Sequence, residues 1–468
     1  MVDLVIIGAG PGGIASAVEA SKLGLSVVLL DEQEAPGGQI YRDVDKAANL
    51  RGDILGADYV YGQTLTTALS ASGVQYISGS VVWSIEEGFV ICYTKQGVAH
   101  QLAAQTVLIA TGAIERPMPI EGWTKLGVMT AGAGQILLKQ SGVVAQRAAL
   151  VGSGPLLYLA AVQLTKAGSP PVALIETQSS RDLWAAMPHF LGALKGWRYL
   201  IKGLKMILTL RWAGVPRFTA ATEVSIGGES SVSSVRFVSN GKAHAIACDT
   251  VFLHHGVIPN VQAARSLDVT YEWSNSQNCF LPKLDAWGQT DVAGIFITGD
   301  GAGIAGAISA ELRGRLSALQ VAYKLGFLSK KARDKEACPI RRALNKDLAI
   351  RPFLDRAYPP YVQALTPPDH VVVCRCEDVR AGDVRRYAQM GCTGPNQTKA
   401  FGRVGMGSCQ GRYCGLTVTQ ILAQVNERTP QEIGYYKIRS PLKPITLGEL
   451  AALDQIPLEQ LEQGKHDD

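Results

Sequence analysis

Short runs of apolar residues punctuate the chain at 4–7, 25–30, 106–113, 172–175 and 294–298, with a further one starting at 148. Each is apolar at nearly every position. A strand of a parallel sheet carries that pattern, because helices cover both of its faces. Helical periodicity follows the run at 4–7 (residues 14–23), the run at 148 and the run at 294–298. The chain therefore reads strand–helix–strand twice over, with a late strand and helix that return to the first unit. That order predicts an α/β protein with two doubly wound, Rossmann-like units. Between the second and third apolar runs, 53–72 reads as a helix, and 74–77, 80–85 and 89–94 as strands. Strands resume near 232–238 and 250–255. Residues 331–368 are charged and then Pro-rich, and read as a linker with some helix.

The turns carry the chemistry. Gly8, Gly10 and Gly13 form G-x-G-x-x-G between the first strand and helix, with Gly12 beside them. Gly8 allows the tight turn, Gly10 admits a pyrophosphate to the backbone, and Gly13 lets helix and strand pack closely. The helix N-terminus offers free N–H groups to phosphate. The next strand stops at Asp31-Glu32, where a carboxylate meets an adenosine ribose. The Gly pair of residues 36–42 (PGGQIYR, with Gly38 and Gln39) lets backbone lie against a cofactor. Thr111-Gly112 ends a later strand.

A second unit repeats the plan. Gly152-Ser153-Gly154 follows a strand, but Leu157 stands at the third glycine position, and the returning strand ends at Glu176. Glu176 suits a ribose 2′-hydroxyl and repels a 2′-phosphate. Two readings stay open: a second nucleotide (NAD or ATP) bound by Gly152, Gly154 and Glu176, or a retained fold that is empty or holds only adenosine. His254 and His255 end a strand; either approaches a flavin, or both simply close the strand. A strand ending at Thr298-Gly299-Asp300 precedes a Gly/Ala-rich helix. The Asp suits a ribityl hydroxyl and the helix N-terminus a reduced, anionic flavin. An N-terminal G-x-G-x-x-G paired with a distant T-G-D makes the first cofactor FAD.

Nine cysteines are present, five of them crowded into 374–414. Cys374-x-Cys376 and Cys409-x-x-x-x-Cys414 supply four thiolates in two close pairs, flanked by Gly405, Gly407 and Gly411. On spacing alone this is a zinc or a [2Fe–2S] site; Cys392 has no paired neighbour and is not counted as a ligand. No C-x-x-C pair lies near the flavin segments, which leaves a disulfide reductase without its dithiol.

The formal net charge of +5 is mild and no long basic run points to nucleic acid. Apolar residues make up 47% of the chain, enough for large cores in two to four domains. No apolar stretch is long enough to span a bilayer, and the chain enters a strand at once, leaving no room for a signal peptide; the expectation is a cytoplasmic protein. Residues 181–215 interrupt the second unit and are rich in Trp, Leu and Lys/Arg, with six basic residues and one acidic. They suit a partner subunit, the inner face of an anionic membrane, or a helical hairpin capping their own unit.

Together GAGPGG (8–13), PGGQIYR (36–42), ATGAIERP (110–117), GVMTAGAGQ (127–135), VGSGPLL (151–157), TGD (298–300) and CRCE…GMGSCQGRYC (374–414) resemble the FAD-containing subunit of heteromeric amino-acid dehydrogenases and oxidases. That group includes opine oxidases, D-hydroxyproline dehydrogenase, hydrogen cyanide synthase, and the alpha subunits of dye-linked proline dehydrogenase and sarcosine oxidase. The resemblance implies FAD on residues 1–113 and 257–330, with Val81 an adenine neighbour. It implies a second nucleotide unit at 114–256, a linker at 331–365, and a tail from 431 to 468. It also implies a small helical [2Fe–2S] domain at 366–430, similar to bacterioferritin-associated ferredoxin, with Cys374, Cys376, Cys409 and Cys414 as ligands. It tips the metal from zinc towards [2Fe–2S]. It further implies a glycine-oxidase-like flavoprotein beta subunit that oxidises a secondary amine such as D-hydroxyproline, proline or an opine, a small ferredoxin-like gamma subunit, and an FMN at a subunit interface. The other functional class is a self-sufficient NAD(P)H-dependent FAD/iron–sulfur reductase; a zinc-stabilised scaffold is a third.

Overall fold

The computed structural model describes residues 1–455. Its first sheet runs, edge to edge, through strands Gln75–Ile77, Val27–Leu30, Val2–Ile7 and Val98–Ile109, then the antiparallel strands Val90–Lys95 and Ser80–Glu86; Ile295–Ile297 joins Val98–Ile109. The parallel register sets Leu4 against both Val27 and Thr106, and Ile295 against Val107. Leu4, Val5 and Ile6 are wholly buried, as a strand covered on both faces requires. The helices Pro11–Lys22 and Ala307–Lys324 lie against each other on one face. A Cβ at Gly314 would sit 2.2 Å from Gly12 O, so the crossing is closer than any side chain permits.

The second sheet is wholly parallel, in the order Arg217–Phe218, Ala173–Glu176, Ala148–Gly152, Thr250–His254, Val128–Thr130. An antiparallel three-strand meander, Thr222–Gly227, Ser234–Ser239 and Lys242–Ala247, leads into its fourth strand. Only the middle of these was evident in the sequence. The two units are joined by a ribbon of Ala113–Glu115 against Val257–Pro259.

Two expectations are corrected. Residues 53–72 are not one helix: Val44–Leu55, Ala57–Val60 and Gly62–Ser70 share that stretch. The expected linker is largely helix, with Lys330–Leu348, Arg351–Ala357 and Val362–Leu365. The first of these puts Arg333, Ala337, Ile340 and Leu344 on one face, against Ala307–Lys324. Arg333 lies 4.4 Å from the ring centres of both Trp287 and Tyr323 and donates to Gln320 Oε1 at 2.7 Å. A helix this polar draws its stability from that one packed face.

The C-terminal segment has a two-stranded ribbon (Val372–Cys374, Val379–Arg380) and helices Ala381–Gln389, Pro395–Gly402 and Gly415–Val425. Its apolar residues share one core with the first sheet: Val373, Val418, Ile421 and Tyr436 belong to the same buried cluster as Val5, Val107, Ile258 and Phe280. Residues 436–443 are also docked. Tyr436 is buried, Leu442 N–H donates to Trp83 O at 2.7 Å, and Lys443 pairs with Glu32.

Candidate functional site: two nucleotide cradles and four thiols

The first glycine turn is built by close approach. Gly8 has φ +108°, and a Cβ there would lie 2.5 Å from Ala110 O; one at Gly13 would lie 1.9 Å from Gly8 O. At Gly10, by contrast, a Cβ would meet nothing within 4 Å. That open position, at the uncapped N-terminus of Pro11–Lys22, is where a pyrophosphate fits. Four separate segments meet around it. Gly38 approaches Gly10, with a Cβ at Gly38 only 2.8 Å from Gly10 Cα. Gly12 faces Gly299 and Ala310, and Gly301 faces Gly112 O. Asn260 N–H donates to Gly112 O at 2.9 Å, and Thr111 Oγ1 to Asn260 O.

Asp31 is buried at the edge of this cradle. Its carboxylate accepts from Ala9 N–H, inside the glycine turn, and from Gln33 N–H at 2.7 Å. Burial raises its pKa, and those two N–H donors work against the rise. Ser80 N–H donates to Asp31 O at 2.8 Å, which brings the half-buried Val81 alongside. Glu32 and Gln39 are exposed. Asp300 Oδ1 accepts from Ala305 N–H at 2.9 Å and Gly306 N–H at 3.1 Å. The helix Ala307–Lys324 starts there with no side-chain cap, which leaves its N-terminal partial charge able to meet an anionic cofactor group. These residues fit FAD.

Lys139 was not foreseen. It is buried, and its ammonium donates to Gln39 O at 3.1 Å and Ile40 O at 2.9 Å, tying the PGGQ loop to helix Ala131–Ser141 of the second unit. Burial, then the nearby Arg42, pushes its pKa down to about 7. The visible signal was a lone Lys among apolar residues in GAGQILLKQS.

The second cradle has the backbone of a nucleotide site but is filled by its own side chains. A Cβ at Gly152 would fall 1.6 Å from His254 O, and one at Gly154 would fall 3.1 Å from His254 Nε2. His254 Nδ1 pairs with Glu115 Oε1 at 2.6 Å, and Glu115 Oε2 accepts from Gly132 N–H at 2.8 Å. Leu157, in place of a third glycine, is wholly buried. Glu176 is buried and fully engaged. Oε1 accepts from Arg217 Nε at 2.7 Å; Oε2 accepts from Tyr158 Oη at 2.9 Å and Gln178 Nε2 at 2.8 Å. Glu176, expected to meet a ribose if a second nucleotide binds, here holds Arg217, Tyr158 and Gln178 instead. His255 is equally committed, with Nε2 bonded to Pro117 O at 2.8 Å and Nδ1 accepting from Tyr361 N–H at 3.1 Å. Burial, and then the positive Arg116 nearby, holds this imidazole neutral.

The four cysteines come together as two couples. Cys374 faces Cys414 and Cys376 faces Cys409, each within hydrogen-bonding reach of its partner. Cys414 also feels Cys409. Among the described residues, no three Cys, His, Asp or Glu side chains form a preformed cage for a single ion. Four thiols gathered this way can hold either a zinc ion or a [2Fe–2S] cluster. Backbone N–H groups of Gly405, Glu377 and Cys376 point at Cys374, and those of Tyr413 and Gly411 at Cys409; such amide nests suit a cluster's negative charge. Gly407 packs against Cys376, where a Cβ would lie 2.2 Å from the cysteine's own. Cys392 lies outside both couples, its carbonyl bonded by Asn426. The loop carrying Cys409 touches the flavin unit: Gln262 Nε2 donates to Gln410 O at 3.0 Å, two residues beyond Asn260.

Comparison with known proteins agrees with this architecture. Residues 2–326 match the pyridine nucleotide-disulphide oxidoreductase family, and 369–454 the sarcosine oxidase A3 domain. The A subunit of opine oxidase from Rhizobium meliloti (strain 1021) is 40% identical over 461 residues, 96% of this chain and 98% of that protein. The HcnB subunit of hydrogen cyanide synthase from Pseudomonas protegens is 28% identical, over 96% of this chain and 98% of that protein. The crystal structure of L-proline dehydrogenase from P. horikoshii shares the fold, with a TM-score of 0.71 at 19% identity over 96% of this chain and 79% of that one. The chain therefore belongs to the pyridine nucleotide-disulphide oxidoreductase family, as a flavoprotein oxidoreductase grouped with the opine oxidase A, HcnB and sarcosine oxidase alpha subunits.

Proposed function

We infer that this chain is the electron-transfer subunit of a heteromeric dehydrogenase or oxidase for a secondary amine such as D-hydroxyproline, proline or an opine. Substrate oxidation falls to a glycine-oxidase-like partner flavoprotein. The relatives' names, which make them the A subunit of opine oxidase and the alpha subunit of sarcosine oxidase, support assembly with other subunits. A small ferredoxin-like subunit and an FMN at a subunit interface complete the proposed complex.

The observation that carries this reading is the contact between the two candidate redox sites. The segment 257–262 closes the flavin cradle through Asn260 and reaches the cysteine loop through Gln262. FAD would supply two-electron acceptance and the cluster one-electron transfer. FAD would be held by the turn at Gly8–Gly13 with Asp31 and Asp300. The cluster would be held by Cys374, Cys376, Cys409 and Cys414. The protein's part is to fix both against one rigid core; Cys374 and Cys414 are buried with Tyr435 and Tyr436 beside them, while Cys376 is exposed and Cys409 partly so.

The self-sufficient NAD(P)H reductase needs a working second cradle. Glu176 spent on Arg217, and His254 seated against Gly154, count against it. The discriminating experiment is anaerobic. The purified chain, loaded with FAD, is mixed with NADH or NADPH, and separately with a panel of secondary amines plus the partner flavoprotein. Flavin bleaching by amine only when the partner is present is expected. Rapid bleaching by NADH would overturn the reading.

A further inference from the structure

The insertion in the second unit has no role in either cradle, yet it holds the most unusual surface on the molecule. It folds as Ser180–Ala186, a run of short turns, and the helix Trp197–Trp212. One side of that helix packs on Pro155–Lys166 and buries Leu210 beside Leu157 and Tyr158. The other side should be polar, and it is not. Trp197, Ile201, Leu204, Leu208 and Trp212 fall at spacings of 4, 3, 4 and 4, which a 3.6-residue repeat lays along one stripe. Trp197, Ile201, Leu204 and Trp212 are exposed, Trp212 by 82%. Just before the helix, Trp184 (76%) and Leu191 (79%) are exposed as well. An apolar area of this extent on a protein surface marks an interaction site.

Charge identifies what it meets. The chain carries 45 Lys and Arg against 40 Asp and Glu. Residues 181–215 hold six of the former and one of the latter, leaving thirty-nine of each elsewhere. The whole positive excess of the chain thus sits in this one insertion. Its single acid, Asp182, is turned inward to cap the first helix at Ser179. Arg198, Lys205 and Arg211 are exposed beside the apolar stripe, and Arg198 lies over the Trp197 ring. An apolar stripe ending in Trp and edged by long basic side chains is the pattern of a helix lying in a membrane interface. Among the described residues, no helix is long and apolar enough to cross a membrane, so the element would lie on the bilayer.

We propose that residues 181–212 are a membrane-surface anchor that docks this chain on an anionic lipid bilayer. Trp197, Leu204 and Trp212 enter the headgroup boundary while Arg198, Lys205 and Arg211 meet lipid phosphates. The anchor belongs to the second unit, so its failure and that of the redox assignment are separable.

The test is cosedimentation of the full, flavin-loaded chain with vesicles of phosphatidylcholine alone and of phosphatidylcholine with phosphatidylglycerol. Binding to the anionic vesicles only is expected, with loss in high salt. Each basic residue lost near the surface should lower partitioning about fivefold, so Arg198→Gln with Lys205→Gln should lower it about 25-fold. Leu204→Ser with Trp212→Ser should abolish binding at any salt. All these positions are exposed, and unchanged flavin content verifies folding. No sedimentation of the wild-type chain with anionic vesicles would overturn the proposal. So would equal binding by the variants, or loss of co-purification with the partner flavoprotein as their only effect, which would make the stripe a protein interface.

Discussion

Replacing Arg217 by Met tests whether the second nucleotide fold is a scaffold rather than a cofactor site. In the wild type, the guanidinium lies 2.7 Å from Glu176, whose side chain is 3% exposed; Arg217 itself is 27% exposed. Removing one partner of a buried pair strands the other charge and costs about 3–5 kcal/mol. Water reaches Arg217 from one side, and Glu176 keeps Tyr158 and Gln178 as donors, so the cost falls below that range, to about 2–3 kcal/mol. For a unit of this size that lowers Tm by roughly 4–10 °C. Adding Glu176→Gln to Arg217→Met removes the stranded charge and should recover most of the loss, giving a coupling that a double-mutant cycle reads directly. Chemical denaturation of the two single variants and the pair is the assay, with flavin content as the control. A loss below about 0.5 kcal/mol for Arg217→Met, or no recovery in the pair, would refute the reasoning. A clear rise in wild-type Tm with NADH would do the same, because Glu176 would then have been released to a ribose.

Other predictions follow from the same contacts. Asp300→Ala removes a carboxylate that organises Ala305 and Gly306; flavin retention on dialysis should weaken by on the order of 1.5–3 kcal/mol per lost charge-assisted bond. Serine at Cys374, Cys376, Cys409 or Cys414 should each abolish bound iron and labile sulfide, whereas Cys392→Ser should keep both. Lys139, with its folded pKa depressed to about 7, is charged in the unfolded chain but neutral in the fold between about pH 7 and 10. Stability should therefore rise with pH across that window, by at most about 1.4 kcal/mol per unit. Denaturant titrations at pH 7 and 9 should show that rise in the wild type and none in Lys139→Met.

The parallel strands and glycine turns were legible because burial on both faces and close backbone approach leave few residue choices. Gly8, Gly13 and Gly299 fell where the pattern put them. Glu176 was readable only as a ribose position, because the last residue of such a strand holds that place in a working cradle. Nothing local announced that Arg217, forty-one residues on, would take its carboxylate. His254 was ambiguous for the same reason, since its partner Glu115 lies on the far strand of the crossing ribbon. The stretch after 331 was read as a linker with only some helix because charge dominated its composition. The i, i+4, i+7, i+11 face of Arg333, Ala337, Ile340 and Leu344 was present but needed Trp287 and Tyr323 to complete it. The four thiols were visible as a set from spacing, and the fold brings Cys374 to Cys414 and Cys376 to Cys409 across 33 or more residues of chain.

Electron flow from the partner's substrate through this chain can be read in a single stopped-flow absorbance trace of the reconstituted complex, with this chain, the partner flavoprotein and an amine substrate mixed anaerobically. Flavin bleaching is expected first, followed by bleaching of thiolate-to-iron bands, with the second phase lost in a Cys409→Ser chain and the first retained. Bleaching of the flavin in this chain by amine with no partner present, or cluster bands that never respond, would contradict the division of labour.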